Sequence, residues 1–281
     1  MKKPLRIVIT AVGTTTALSV IKSFKQSKYS NSRFIGVDIH DAADLAAEAF
    51  FDNIYKICPV SDRKYILQLQ AICKKEKADA VIPILDAEVE KIVAHKDDFA
   101  KMGVAVAADN LGAIKICNDK YKTRTHLSGY GQKIRFYSQS DLAKKDLKFP
   151  VFIKPRFGVG SKDCYTAANE AELEFFLKKV KRPIIEELVA GDKYVIDAVN
   201  DLHGRNLVSI PRREWEAKSG VGVRSEVVKD EDLVRFGKDV SQSLKVIGPC
   251  NLEVFKKGKN IFLIEVNPRY SAGVVLSTKS G

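Results

Sequence analysis

Two glutamates in the last thirty residues of the sequence have the spacing of a metal site. Glu253 and Glu265 lie on two predicted strands joined by a tight turn, so an antiparallel hairpin can place them opposite one another. Asn267 follows Glu265 by two residues and therefore points to the same face. The alternative is a Glu253 that faces solvent on an edge strand, but apolar residues flank both glutamates and favour a shared polar face. With no basic neighbour evident, two carboxylates and an amide oxygen require a cation, and Mg²⁺ suits such hard ligands.

Cations and glycines in the same half of the chain indicate a phosphate site. The predicted strand that ends at Lys154 leads into a loop holding Gly158, Gly160 and Ser161. Backbone N–H groups of such a loop can turn toward phosphate oxygens, and the lysine adds a point charge. The lysine precedes the glycines, so this is not a Walker loop, and on these residues alone a hairpin turn is supported equally. Arg269, just after the predicted metal ligands, can fork onto a phosphoryl group in transfer.

A glycine turn near the amino end of the chain gives weaker evidence for a ligand site than the loop after Lys154. Gly13 follows the first predicted strand, and Asp38 ends the second. A dinucleotide fingerprint would need three glycines at this turn. The single glycine favours a plain strand-to-helix connection over a dinucleotide site.

Composition excludes several classes of protein. With 45% hydrophobic and 29% charged residues, the 281-residue chain is neither disordered nor of low complexity. No apolar run approaches the ~18–20 residues that a bilayer requires, and the first apolar run is too short for a secretory signal. Five cysteines without a Cys-x-x-Cys pair indicate reduced thiols. We therefore expect a cytoplasmic protein with no membrane partner.

The net charge of +12 leaves binding to a polyanion open. The lysine runs are short and dispersed, however, and aromatic residues do not interleave with them. Solvated helix faces are thus favoured over nucleic acid as the explanation.

The order of predicted elements indicates an α/β fold. Up to about residue 115, strands at 5–12, 34–38, 54–58, 80–84 and 104–106 alternate with helices at 17–24, 62–76 and 87–99. Such alternation predicts parallel βαβ units in a doubly wound sheet. The second part mixes helices, one opening at residues 118–120 and others at 168–180 and 230–246, with strands at 133–137, 151–154, 184–186, 194–200, 207–210, 250–255 and 260–266.

Five motifs of the second part, taken in order, resemble those of the ATP-grasp ligases. They are Asn-Asp-Lys120, Phe-Pro-Val-Phe-Ile-Lys154-Pro with its Gly/Ser loop, Ile-Ile-Glu186-Glu187-Leu188-Val-Ala-Gly191, Leu252-Glu253-Val254 and Leu-Ile-Glu265-Val-Asn267-Pro-Arg269. The chain most resembles the ATP-binding half of the carbamoyl-phosphate synthase large subunit and its stand-alone relatives. This implies a Rossmann-like pre-ATP-grasp domain at 1–115 and a two-lobed α+β ATP-grasp domain at 116–281, with a lid lobe at about 120–185 and a core lobe at 186–281.

The resemblance also implies a role for each motif. The residues that would bind ATP are Lys120 and Lys154 for the phosphates, Gly158, Gly160 and Ser161 as a mobile lid, and Glu186, Glu187 and Leu188 beside adenine. Two Mg²⁺ or Mn²⁺ ions would be held by Glu253, Glu265 and Asn267. The catalytic residues would be Arg269, which would stabilise the transferred phosphoryl group, and the phosphate-binding Lys154.

The activity implied is that of an ATP- and Mg²⁺-dependent ligase. It would convert a small carboxylate into an acyl phosphate, which an amine or similar nucleophile attacks. Carbamoyl-phosphate synthesis itself is not expected, since the chain resembles only one ATP-binding half. A catalytically weak or inactive nucleotide-binding protein of the same fold is the alternative, and a homodimer stays open.

The sequence departs from the family pattern in two places. Lys193 stands two residues after Gly191, where family members carry a glutamate that holds the ribose hydroxyls, and Asp192 or Asp197 is a candidate substitute. The chain also stops 12 residues after Arg269 (281 − 269), where family members usually continue. We therefore expect either a short sequence or a reduced member.

The acceptor site is expected beside Pro211–Glu214 and Ser219–Arg224. Arg212 and Arg213 can clamp a substrate carboxylate there. A solvated loop is supported equally.

Overall fold

A computed structural model describes residues 4–143, 146–218 and 220–280 of the chain. Its first sheet contains the strands β1 Arg6–Ile9, β2 Arg33–Asp38, β3 Asn53–Lys56, β4 Ala80–Ile82 and β5 Ala105–Val106. All are parallel, in the order β3-β2-β1-β4-β5. The predicted parallel α/β architecture of this part is thereby confirmed.

Helices and short 3₁₀ turns cover both faces of this sheet. They are α1 Thr15–Lys25, α2 Tyr65–Glu76, α3 Asp86–Val93, α4 Lys96–Lys101 and α5 Leu111–Cys117, with 3₁₀ turns at Ala42–Asp44 and Glu48–Phe50. One face buries Val8 and Ile35 against α2, and the other buries Ile9 and Phe34 against α1. The single helix predicted at 87–99 is wrong, because the chain turns at residues 94–95 and starts a second helix.

The second sheet is antiparallel and carries the site described below. Its strands are β9 Asp192–Asn200, β10 Asn206–Lys218, β11 Val221–Val227, β12 Gly248–Lys257 and β13 Asn260–Asn267, in the order β11-β10-β9-β12-β13. One face packs Ile196, Leu252 and Val254 on helix α9 Glu231–Ser243. The opposite face is polar. The prediction missed β11 and most of β10, whose many charged residues give no apolar alternation.

The third sheet contains β6 Val151–Pro155, β7 Tyr165–Ala167 and β8 Pro183–Glu187, in the order β7-β6-β8. Three helices belong to the same region, which are α6 Lys120–His126, α7 Gln139–Ala143 and α8 Glu170–Leu177. The strand predicted at 133–137 is wrong. That segment runs beside β8 but forms only an isolated bridge between Phe136 and Glu186.

A short carboxyl-terminal helix, α10 Val274–Lys279, packs against α1. Tyr270 and Val274 join the apolar cluster of the first sheet, and Ser19 Oγ donates to the carbonyl oxygen of Ala272. The last described residues therefore tie the antiparallel half back to the parallel half. Within the described ranges, no helix combines the length and apolar character needed to cross a bilayer.

Candidate functional site

The β12–β13 hairpin brings the predicted metal ligands together. Its register sets Glu253 opposite Glu265 and Asn251 opposite Asn267. Asn267 Nδ2 donates to Glu265 Oε1 at 3.2 Å. Leu252 and Val254 of β12 pack in the core with α9, which leaves Glu253 on the polar face. A β-bulge between Leu263 and Glu265 turns Glu265 to the same face.

Two lysines contact these glutamates, and the expectation of no basic neighbour is wrong. Lys193 Nζ lies 3.0 Å from Glu253 Oε2 and 2.7 Å from Glu214 Oε1. Lys120 Nζ lies 3.3 Å from Glu265 Oε2. The lysines come from β9 and α6, so the hairpin sequence carries no signal of them.

The charges in this cluster shift one another's protonation. Burial and the facing Glu265 raise the pKa of Glu253 to about 7, against the pull of Lys193. Burial also opposes ionisation of Glu265, yet the Lys120 ammonium and the Asn267 amide hold its pKa below the usual range. Burial alone would lower the pKa of Lys193, but Glu253 and Glu214 raise it to about 12. The facing carboxylates therefore repel, while Lys193 stays charged.

The donor set fits a divalent cation. Within the described residues, no three or more His, Cys, Asp or Glu side chains gather into a metal site, and an amide oxygen can serve as a further ligand. Asn267 lies beside Glu265 on the same face as Glu253 and can supply it. The two carboxylates with that amide are the hard ligands that Mg²⁺ prefers.

Lys120 and the glycine loop at residues 158–161 lie together beside Glu265. Asp119 caps α6 and is held by Arg156 through two hydrogen bonds of 2.7 and 2.6 Å. This cap places Lys120 at the helix start, where its Nζ donates to the Gly158 carbonyl at 2.7 Å. Gly160 has a φ of +65°, which glycine adopts without strain. The loop thus folds over the lysine.

Lys154 lies deeper, in an ion pair with Glu186. Lys154 Nζ is 2.7 Å from Glu186 Oε1, and both side chains are about 4% exposed. Arg124 Nη2 lies 3.7 Å from the other oxygen of Glu186. Glu187 accepts the backbone N–H of Arg135 at 3.1 Å, and Leu188 at the end of the strand is partly exposed.

Two adjoining cavities connect these groups. A small one of about 70 Å³ is lined by the residues Lys120, Lys154, Gly158, Gly160, Ser161, Glu253 and Glu265. A larger one of about 230 Å³ shares both glutamates and also the tip of the glycine loop. Its further lining includes Thr16, Asp86, Arg212, Arg269 and Gly273. The structure therefore brings most of the predicted site residues to one place.

Arg269 reaches across to the first half of the chain. Its Nε donates to Asp86 Oδ1 at 3.0 Å, and its Nη1 donates to the Tyr270 carbonyl at 3.2 Å. Asp86 opens α3 just beyond β4, and sequence reasoning missed it. The signal was its position at the carboxyl end of a parallel strand, where such sheets bind ligands.

The side chains predicted to clamp an acceptor carboxylate or to hold the ribose bind other groups of the protein. Arg212 is held by Asp197 at 2.8 Å and by Ser271 at 3.0 Å. Arg213 pairs with Asp192 at 2.5 Å and stacks on an exposed tryptophan. The two arginines predicted to clamp a carboxylate therefore pair with the two aspartates predicted to hold the ribose, Arg212 with Asp197 and Arg213 with Asp192. Of the predicted acceptor stretch 219–224, residue 219 lies outside the described residues, whereas Gly220 and Gly222 line the larger cavity.

At the amino-terminal glycine turn, the candidate acidic residue Asp38 is engaged by neighbouring groups of the protein. Asp38 accepts the backbone N–H of Gly13 at 2.8 Å and contacts His40 Nδ1 at 2.8 Å. Thr14 caps α1. The contacts are those of the plain strand-to-helix connection favoured above.

Comparisons with known proteins agree with this geometry. Residues 117–273, more than half of the chain, match the family model described as ATP-grasp domain, and residues 7–107 match the PylC-like, N-terminal domain. The carbamoyl phosphate synthase large chain of Clostridium acetobutylicum is 24% identical over 84% of this chain. That alignment spans 23% of the relative, so the chain covers about a quarter of its length.

Solved structures of similar fold include a biotin carboxylase and a biotin carboxylase domain. Biotin carboxylase from Campylobacter jejuni, in complex with β-γ-ATP, has a TM-score of 0.76 at 17% identity over 99% of this chain and 68% of its own. The biotin carboxylase domain dimer of Hydrogenobacter thermophilus 2-oxoglutarate carboxylase, with MgADP, ADP and bicarbonate, has a TM-score of 0.74 at 14% identity over 96% and 65%. At these identities the likeness shows the fold.

Proposed function

Because this chain belongs to the ATP-grasp family, we propose that it is an ATP- and Mg²⁺-dependent ligase that joins a small carboxylate to an amine or similar nucleophile. The observation that carries the proposal is the opposed pair Glu253 and Glu265, set between Lys120 with its glycine loop and Arg269. Mn²⁺ is the alternative metal. The nucleotide, metal and substrate roles below belong to this proposal.

The residues around the small cavity fit a triphosphate and a divalent cation. Lys120 Nζ and the N–H groups of Gly158–Ser161 are the donors for phosphate oxygens. Glu265 and Asn267, with Glu253 facing them, would hold the cation. When bound, Mg²⁺ supplies charge neutralisation on the phosphate oxygens. Phosphoryl transfer needs such neutralisation and positioning more than a covalent protein nucleophile.

The larger cavity is the proposed acceptor site. An acceptor carboxylate there lies beside Arg269, whose guanidinium Asp86 orients. One carboxylate oxygen attacks the γ-phosphorus, ADP leaves, and an acyl phosphate remains. The nucleophile then attacks the acyl carbon and displaces inorganic phosphate. The loop tip around Gly160 borders both cavities, and in that position it excludes water from the acyl phosphate.

The test is ADP release with a panel of small carboxylic acids, each offered with and without amines. We expect release to require both substrates. Glu265→Gln and Asn267→Ala should lower kcat/KM by about 100-fold or more, in the range for loss of one transition-state contact. Asn260→Ala is the control, since Asn260 starts the same strand β13 at its exposed end.

Two outcomes would overturn parts of the proposal. Full ATP turnover by both site variants would remove the metal assignment. Calorimetric ATP binding without ADP formation from any acid would instead identify the alternative, a nucleotide-binding protein of the same fold without ligase activity.

A further inference from the structure

The Lys193 side chain occupies a position among the site carboxylates that the ligand assignment does not use. It extends from β9 between the flanking strands β10 and β12. Its ammonium bridges Glu214 at 2.7 Å and Glu253 at 3.0 Å. The side chains of Glu214 and Glu253 are 6% and 22% exposed, so water screens these contacts little.

The two lysines of the cluster differ in how firmly they are held. Lys120 touches one oxygen of Glu265 at 3.3 Å, and its shorter contact is with the carbonyl of Gly158 in the glycine loop. An incoming phosphate can therefore draw Lys120 away from Glu265. Lys193 is fixed by two carboxylates of neighbouring strands in one rigid sheet. Glu265 can thus be freed to bind a metal, whereas Glu253 stays paired with the Lys193 ammonium.

We propose that the Lys193 ammonium takes the place of a second divalent cation, so that this site binds one Mg²⁺, on Glu265 and Asn267, instead of two. The inference rests on the proposed function, because it concerns the same metal site. A second divalent ion on Glu253 would lie next to a fixed positive charge and would compete with it for the Glu253 carboxylate, whose Oε2 the ammonium contacts. One ammonium and one divalent ion together neutralise the three carboxylates Glu214, Glu253 and Glu265.

Counting bound Mn²⁺ tests this proposal without relying on turnover. The full chain is saturated with a non-hydrolysable ATP analogue and titrated with Mn²⁺, and free Mn²⁺ is read by electron paramagnetic resonance. We expect one ion per wild-type chain and two per chain of Lys193→Met. Lys256→Met is the matched control, because Lys256 lies on the adjacent strand β12, pairs with Asp230 outside the site, and should leave one ion.

Lys193→Met removes the counter-ion of two carboxylates and could fail to fold for that reason. A second variant keeps the test decisive in that case. Lys193→Met/Glu214→Gln leaves Glu253 as the only unpaired charge and should also bind a second ion, at least 10-fold more tightly than wild type does. Two ions on the wild type, or one ion with unchanged affinity on the folded variants, would overturn the inference and leave the proposed function standing. No Mn²⁺ on the wild type with analogue would instead refute the metal site itself.

Discussion

At the scale of single residues, the buried pair of Lys154 and Glu186 brings together two residues for which the sequence motifs predict different roles. The lysine was expected at the phosphates and the glutamate beside adenine. In the structure they lie 2.7 Å apart on adjacent strands of the third sheet. A buried ion pair holds its geometry firmly, because breaking it leaves one charge without a partner.

We predict that Lys154→Met lowers the free energy of unfolding by about 1–3 kcal/mol, because Glu186 Oε1 loses its buried hydrogen bond while Arg124 stays near the other oxygen. The double variant Lys154→Met/Glu186→Gln should recover part of that loss, since it also removes the buried carboxylate charge, while Arg124 loses its ionic partner. Denaturant unfolding measures both. Lys162→Met, at an exposed lysine of the glycine loop, serves as the control. Equal stability of the single and double variants would show that the pair does not stabilise the fold.

At the scale of elements, the site depends on three that are distant in sequence. The β12–β13 hairpin supplies the carboxylates, α6 presents Lys120 through its Asp119 cap, and the start of α3 holds Arg269 through Asp86. Both helices begin at the cavities, so their first residues meet the polar face of the hairpin there. The parallel domain thereby contributes a side chain to the site of the antiparallel one.

Asp86→Asn should lower kcat by roughly 10–100-fold with little change in the KM for ATP. The variant keeps a hydrogen-bond acceptor but loses the charge that orients Arg269, and general positioning effects have this size. Steady-state ADP release measures both constants. Asp98→Asn is a matched control, because Asp98 is also an acid in the first turn of a helix, where it pairs with Lys101 at the surface. An unchanged kcat for Asp86→Asn would show that Arg269 needs no orienting partner.

At the scale of the whole molecule, contacts between the carboxyl-terminal residues and helix α1 join the two halves of the chain. Helix α10 packs on α1, and Tyr270 and Val274 enter the apolar cluster of the first sheet. The Arg269–Asp86 contact lies beside this junction. We infer that the halves unfold as one cooperative unit.

Val274→Asp should split a single thermal transition into two and lower the first of them. Placing a charge in this apolar contact removes the partial burial of a valine, whose full burial would contribute about 1.5–3 kcal/mol. Differential scanning calorimetry measures the transitions. Val234→Asp, on the more exposed side of α9, should leave one transition. A single unshifted transition for Val274→Asp would mean that α10 does not couple the halves.

Much of this protein follows from local patterns in its sequence. Alternation of strands and helices predicts the parallel sheet, and the tight turn before Asn260 predicts the β12–β13 hairpin. A β-bulge between Val254 and Glu253 then shifts the register by one residue and sets Glu253 opposite Glu265. The strand at 133–137 and the missed β11 show where this fails. The segment 133–137 alternates polar and apolar residues and still forms only an isolated bridge, whereas β11 has too few apolar residues for a clear period. In both segments the pairing depends on the neighbours that the chain meets.

The electrostatics of the site were decided only by the tertiary structure. Lys193 on Glu253, Lys120 on Glu265 and Asp86 on Arg269 are contacts between residues separated by 60, 145 and 183 positions, respectively (253 − 193, 265 − 120 and 269 − 86). Charges act over a few ångströms in space whatever their separation along the chain. The sequence by itself determined which residue types are present and which family pattern they follow. Packing of distant elements determined which charges neighbour the metal ligands.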